Sequence, residues 1–378
     1  MLGAILLVIL IGIYEVRYGF KIPEPTGPHP VGVKDLIMTD SSRESHEKGR
    51  RLLVRLYYPV AAASGTRVPY FPDPGIANNL AEMMDVPLFT VSHLKYGRTN
   101  ATFDPAPAIL SNLPLIIFSH GLNGMRAQNT YLLEDLASHG YLVAGIEHHG
   151  FSIGSIFPDG TLGEYSKKNE LSHPDAGRDI ITTWSKDQEF VHNQLIELNN
   201  QNKLFQEKQN LGKTGLLGHS FGGATSFHTV SLENNFTAAI NMDGFYFGKD
   251  PKAGTNKPIM EIRAEPLAAI HMNKKQLKSA GLTPEIYEDM MFTQWEERFR
   301  EYAQGEAYRY VFKGANHLSF TDLVLGVPFK SILMKDHDFY HKKTRMLVKD
   351  FFDKTLKDQP LENSLKTASN NRPEVLTP

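Results

Sequence analysis

A hydroxyl, a carboxylate and an imidazole occur in the chain order Ser220, Asp243, His317, and their settings suit attack on an ester carbonyl. Ser220 stands in Gly218-His219-Ser220-Phe221-Gly222, a G-x-S-x-G pattern between an apolar β-type run and a helical one. Such a turn is so sharp that side chains on either flank collide, which is why Gly218 and Gly222 must lack Cβ atoms. A serine hydroxyl is a poor nucleophile unless a histidine takes its proton, and that histidine needs an acid to fix its tautomer and stabilise its cation. Asp243 closes the run "TAAINMD" and His317 follows "YRYVFKGAN", so both fall at strand C-terminal ends, where open α/β sheets bind ligands.

Other residues compete for these parts. Glu265 also ends a strand-like run and is the alternative acid. Histidines 120, 139, 148, 149, 173, 192, 219 and 228 precede or adjoin the serine, while His271, His317, His337 and His341 lie well past it; of these only His317 sits in a Gly-rich turn just after a strand. Acyl transfer develops an oxyanion that needs two preorganised donors. The N–H of Phe221 is one, and the loop "SHGLNG" supplies the other, Leu122 N–H, with Asn123 as the alternative and His120 and Gly121 shaping the loop. "EHHG" at 147–150 crowds Glu147, His148 and His149 together. Neighbours on a strand point to opposite faces, so these cannot all ligate one ion, and hydrogen bonding at the rim of the site is the better reading. No metal is expected.

The elements that must hold these residues alternate along the chain. Strands are predicted at 51–60, 113–121, 141–148, 214–220, 237–244, 257–265 and 308–317, several apolar on both faces. Helices are predicted at 128–139, 176–199 and 222–232. Two-sided apolar strands separated by helices predict a mostly parallel central sheet covered on both faces, a doubly wound α/β fold.

Composition narrows the partners. Among 378 residues, 40 Lys and Arg face 42 Asp and Glu, so no basic field favours nucleic acid, and the absence of cysteine removes disulfides, thiolate metal sites and cysteine nucleophiles together. Leu2 to Tyr14 is an uncharged apolar run of thirteen residues, about 20 Å as a helix against a hydrocarbon core of roughly 30 Å. No small-residue cleavage site follows it, so residues 1–20 read as an uncleaved anchor or membrane-dipping segment, with a buried helix or strand as the alternative. The protein is then expected to be membrane-associated or exported. The proline-rich 21–30 reads as a linker, 31–353 as one catalytic domain, and 354–378 as a loose polar tail.

The motifs "LPLIIFSHGL", "DLASHGYLVAGIEHH", "GLLGHSFGGAT", "AAINMDGF" and "GANHLSFTD" resemble the plasma and intracellular type II platelet-activating factor acetylhydrolases, and "VRLYYP" and "GPHPVGVKDL" are similar to their N-terminal strands. The resemblance runs from about Gly27 to Asp350. It implies an α/β-hydrolase fold and calcium-independent, cofactor-free cleavage of short or oxidised sn-2 acyl chains from phospholipids at a lipid surface, a phospholipase A2 type of reaction. It also implies a Ser220, Asp243, His317 triad with Leu122 and Phe221 as oxyanion donors. A broader carboxylesterase, of polyester or dienelactone type, and a catalytically silent lipid-binding protein are the rival readings.

The chain departs from that family where Gly244-Phe245-Tyr246 replaces a tryptophan-containing turn and His149 replaces an arginine. Segments 151–209 and 266–305 show no close match and read as insertions around the acyl pocket. In the second, Thr283 can cap a helix with Pro284 at its first position, and Phe292, Trp295, Phe299 and Tyr302 form an aromatic stripe at helical spacing. Core packing is the ordinary use of such a stripe; a cap or lipid-meeting surface is the functional alternative.

Overall fold

The computed structural model describes residues 20–43, 49–71, 75–108, 110, 112–157, 159–160, 162–163, 176–205, 211–246, 254–265, 283, 285–286, 295–326, 336–360, 364–365 and 374–378. The expected N-terminal anchor therefore lies outside the described residues, apart from Phe20. Among the described residues, no helix is long and apolar enough to cross a membrane.

In chain order the strands are β1 (Val31–Asp40), β2 (Arg50–Pro59), β3 (Arg67–Pro69), β4 (Arg98–Phe103), β5 (Leu113–Ser119), β6 (Leu142–Glu147), the short pair β7 (Ser155–Ile156) and β8 (Leu162–Gly163), then β9 (Leu211–His219), β10 (Ala238–Met242), β11 (Ile259–Ala264), β12 (Ala307–Phe312) and β13 (Glu374–Leu376). The helices are α1 (Gly75–Met84), α2 (Thr130–Ser138), α3 (Ala176–Asn200), α4 (Phe221–Leu232), α5 (Trp295–Tyr302) and α6 (His337–Lys357). Among the described residues, eleven strands form one sheet in the order β13-β12-β11-β10-β9-β5-β6-β2-β1-β4-β3. Pairing is parallel from β13 through β6, while β2 runs antiparallel to both β6 and β1.

Why the strands read as two-sided is visible in their packing. In β5, Ile116 and Phe118 join the core under α2 and α6, whereas Leu115 and Ile117 join the core under α3, α4 and α5. Leu217 and Leu216 of β9 divide the same way, following the period of two in an extended chain. On α6, Leu347, Val348, Phe351 and Phe352 recur at helical spacing and meet the sheet.

The chain leaves β5 for β6 on one side and returns to β9 on the other, so the strand order reverses between β5 and β9. Diverging connections open a crevice at the carboxyl ends of those two strands, and that is where a ligand site is expected in an open sheet.

Several expectations change at the periphery. The proline-rich 21–30 stretch is docked along the domain: Thr26 N–H and Oγ1 both donate to Asp135, Gly27 N–H donates to Ser138 Oγ, and Arg345 donates to the carbonyls of Pro23 and Glu24. Its prolines exclude a regular element, but these bonds give it a fixed path. Within the expected polar tail, residues 354–357 finish α6 and Glu374–Leu376 pair with β12. The 151–209 segment supplies α3, a helix packed into the main fold.

The aromatic stripe is also core. Trp295, Phe299 and Tyr302 are buried under the sheet; Phe292 lies outside the described residues, and Thr283 does cap, accepting from Ile286 N–H. Arg309, fully buried, lies 4.0 Å above the Phe299 ring and donates twice to Glu261, which also accepts from Trp295 Nε1 and Tyr246 Oη. Residues so enclosed cannot meet a lipid surface, so the interfacial reading of Trp295 and Phe299 fails. Phe299→Ala is expected to lower the unfolding free energy by about 3–5 kcal/mol while the folded variant binds vesicles as wild type does. Denaturant titration beside a vesicle sedimentation assay checks this, and unchanged stability with lost vesicle binding would contradict it.

Candidate active site

Ser220 is the single residue between β9 and α4, at φ 55° and ψ −123°. A non-glycine residue held there costs on the order of 1–3 kcal/mol, so its surroundings must over-determine it. Ser220 N–H donates to Met242 O on β10, and its carbonyl accepts from Ala224 N–H in α4. The glycines make the approach possible. A Cβ on Gly218 would stand 2.1 Å from the Gly222 carbonyl, one on Gly222 would stand 2.1 Å from Ser119 O, and one on Gly244 would stand 2.2 Å from Ser220 O. The atoms that a Cβ on Gly218 or Gly222 would meet are backbone, which cannot give way.

Asp243 follows β10 with φ 54°, its N–H donating to Ile262 O at 2.7 Å. One carboxylate oxygen accepts Ala264 N–H at 2.9 Å; the other lies 2.7 Å from His317 Nδ1. Burial works to raise this carboxyl, but the hydrogen bond and charge of His317 outweigh it and hold Asp243 below the usual carboxylate range. His317 opens a short 3-10 turn, His317–Phe320, capped reciprocally: Asn316 Oδ1 accepts Leu318 N–H and Ser319 Oγ accepts Asn316 N–H.

With Nδ1 on Asp243, the remaining ring nitrogen of His317, Nε2, is the one open to a pocket that Ser220 also lines. That pocket encloses about 120 Å³ and is walled by apolar side chains including Tyr70, Phe71, Leu80, Met83, Ile153 and Leu323. Among the described contacts no hydrogen bond yet closes between Ser220 and His317; such bonds commonly tighten once substrate is bound.

The loop after β5 completes the constellation. Gly121 approaches so closely that a Cβ there would lie 3.1 Å from Ser220 Cβ. Gly121 N–H is taken by Gln128 Oε1 and Asn123 N–H by Phe151 O, with Asn123 at φ 59°. Among the described residues, Leu122 N–H has no acceptor. Phe221 N–H begins α4 beside the serine, and positive helix-dipole charge concentrates at that end.

The alternatives sit elsewhere. Glu265 accepts Gly314 N–H rather than meeting His317, His337 is buried on α6, and His341 stacks on Tyr131 at 4.0 Å; His271 lies outside the described residues.

The structure contains a second Ser-His-Asp set that sequence reasoning missed. His148 Nδ1 lies 2.9 Å from Asp187 Oδ2, and its Nε2 lies 2.9 Å from Ser119 Oγ. All three side chains are buried, and Trp184 stacks flat on the imidazole at 3.9 Å. Arg50 and Arg43 both pair with Asp187, and Gln188 donates to Ser119 Oγ. Ser119 is not among the described residues that line the pocket, and the set lies buried behind the loop that follows it. His148 is therefore buried beneath the site rather than at its rim, which corrects the expectation for "EHHG". The members at 119, 148 and 187 share no spacing signal; only the polar Ser185, Asp187 and Gln188 beside the apolar stripe of α3 hinted at it.

A mostly parallel sheet with its strand order reversing at a serine elbow, and a His–Asp pair converging on that serine's pocket, define an α/β-hydrolase. The chain belongs to the platelet-activating factor acetylhydrolase, isoform II family, whose model matches residues 14–168 and 181–337. It is 28% identical over 280 residues to the platelet-activating factor acetylhydrolase of Cavia porcellus, covering 67% of this chain but only 63% of that protein. It is 23% identical over 344 residues to the Gallus gallus protein of the same name, covering 74% and 76% respectively. A ferulic acid esterase from Streptomyces cinnamoneus shares the fold with a TM-score of 0.71 at 23% identity, over 93% of this chain and 100% of the other.

Burial also fixes two rings as neutral. It pushes His120 and His219 down from 6.5 to about 3, with the neighbouring His148 and His317 acting in the same sense. Folded values below the unfolded one mean that protonation favours unfolding; the stability tied to these rings is complete above about 6.5 and is lost as pH falls towards about 3. Ring carbon resonances of His120 and His219 are expected to keep neutral-imidazole positions from pH 7 to about pH 5 in the folded protein. Movement with a midpoint near the ordinary histidine value would contradict this.

Proposed function

We propose that the protein is a serine ester hydrolase of phospholipids carrying short or oxidised sn-2 acyl chains. The observation that carries the reading is Ser220, strained at the elbow and opening into the same small pocket as His317, whose far nitrogen is held by buried Asp243. Membership in a family named for acetyl hydrolysis supports the chemistry.

In this scheme Ser220 Oγ attacks the ester carbonyl as His317 Nε2 takes its proton, and Asp243 holds the imidazolium in place. The N–H groups of Leu122 and Phe221 receive the oxyanion. Collapse breaks the carbon–oxygen bond, and His317 returns the proton to the departing lysophospholipid oxygen. Water, deprotonated by His317, then attacks the acyl-serine; the freed carboxylic acid leaves and Ser220 recovers its proton.

Pocket size supports the chain-length preference. The pocket's modest volume and apolar walls suit an acyl group of a few carbons.

Exposed apolar groups near the pocket support work at a lipid surface. Met83 of α1 and Leu318 beside His317 line the pocket, and Met84, Leu88 and the 77% exposed Phe89 continue the apolar surface from α1 into the next turn. Single exposed apolar residues are ordinary, but a run of them joined to a pocket mouth suits contact with a membrane or lipid particle.

One substrate panel tests the reading: phosphocholine esters with sn-2 chains from acetyl to palmitoyl, as monomers and in vesicles, beside p-nitrophenyl acetate. Wild type is expected to hydrolyse acetyl fastest, Ser220→Ala to fall by at least about a thousandfold, and Phe89→Asp to lose vesicle turnover while keeping the monomeric rate. Cleavage of p-nitrophenyl acetate alone would reject phospholipids in favour of a broader carboxylesterase. Undiminished hydrolysis by Ser220→Ala would reject the serine mechanism.

A further inference from the structure

A hydrogen-bonded chain runs between the two loops that flank Ser220. Gly121 N–H donates to Gln128 Oε1 at 2.9 Å, Gln128 Nε2 lies 2.8 Å from His219 Nδ1, and His219 Nε2 lies 2.9 Å from the carbonyl oxygen of His317. Its direction is determined by chemistry. Gly121 N–H can only donate, so the atom it meets is the amide oxygen of Gln128. The amide nitrogen, which can only donate, then faces His219 Nδ1 and makes that atom the acceptor. His219 consequently carries its proton on Nε2 and donates it to the His317 carbonyl.

The surroundings are shaped to this chain. A Cβ on Gly124 would stand 2.1 Å from Gln128 Oε1, and one on Gly121 would stand 3.2 Å from His219 Nδ1. Gln128 is itself anchored at the main chain, donating N–H to Met125 O and accepting Asp322 N–H from the turn that follows His317. The His219 ring is buried, with its centroid 4.5 Å from that of His317.

We infer that Gln128 and His219 are positioning residues: a one-way brace that fixes the loop of Leu122 and the loop of His317 at the spacing the acyl-transfer step requires. This rests on the proposed serine mechanism. The brace works only with a neutral His219, because a proton on Nδ1 would oppose the Gln128 amide hydrogens. The titratable groups facing the ring are His317, Asp243 and His120, and burial in their midst keeps it neutral even while His317 carries a proton during turnover.

Three measurements test this on the full chain. In wild type, 15N spectra are expected to show His219 as the neutral Nε2–H tautomer. Gln128→Met, similar in shape but without hydrogen bonds, should lose about tenfold to a hundredfold in kcat with KM nearly unchanged. Gln128→Glu should be equally impaired at neutral pH and should recover relative to wild type as pH is lowered, since the introduced carboxyl can donate to His219 Nδ1 only when protonated. A merely structural glutamine would give no such acid rescue. An Nδ1–H or doubly protonated His219, or a wild-type kcat in Gln128→Met, overturns the inference. If Gln128→Met does not fold, the spectra and Gln128→Glu decide. If wild type hydrolyses no ester, the serine reading fails separately, and the tautomer still shows whether the brace exists.

Discussion

The contact on which the rest of the site depends is the approach of the first turn of α4 to the end of β5. Gly222 lies so near Ser119 O that no side chain fits between them, and Gly218 and Gly222 are pressed together at the start of the same turn. This closeness forces one residue to carry the whole reversal from strand to helix, which is why Ser220 has a backbone conformation that serine rarely adopts. It also brings the 120–123 loop against the serine, so the proposed nucleophile and its proposed oxyanion donors are set by one packing constraint.

The two Ser-His-Asp sets share residue types but differ in environment, one open to a pocket and the other sealed. Both have an imidazole hydrogen-bonded to a buried aspartate. Around Ser119 and His148, Trp184, Gln188 and two arginines satisfy and seal the group, and the serine is fully buried. Around Ser220 the elbow lifts the hydroxyl into a pocket that His317 shares. Buried, hydrogen-bonded polar networks rigidify a region, whereas strained backbone at a partly exposed group is a recurring feature of functional sites. Here the first kind lies directly behind the second.

Much of this was legible in the sequence because it is local. The strands β5, β6, β9, β10, β11 and β12 are short β-branched or apolar runs buried on both faces, and the G-x-S-x-G turn carries its steric reason within five residues. Asp243 and His317 could be chosen by strand-end position, and the structure brings them together at 2.7 Å. What sequence could not supply is long-range. Glu374–Leu376 becomes a strand because β12 offers an edge, and a proline-rich stretch becomes ordered through distant partners such as Asp135, Ser138 and Arg345. Trp295 and Phe299 look the same in sequence whether they face lipid or the guanidinium groups of Arg263 and Arg309. Gln128 and Asp187 carry no motif; their roles appear once the loops that they join are in place.

Reaction with an alkyl fluorophosphonate tests the central claim most directly, because the reagent needs an activated nucleophile and an oxyanion site at once. Peptide mass analysis is expected to find one phosphonyl group per chain, on Ser220, with ester hydrolysis lost in proportion to labelling and labelling slowed sharply by His317→Ala. Stoichiometric labelling at another residue, or full ester hydrolysis by a chain completely labelled on Ser220, would contradict the account.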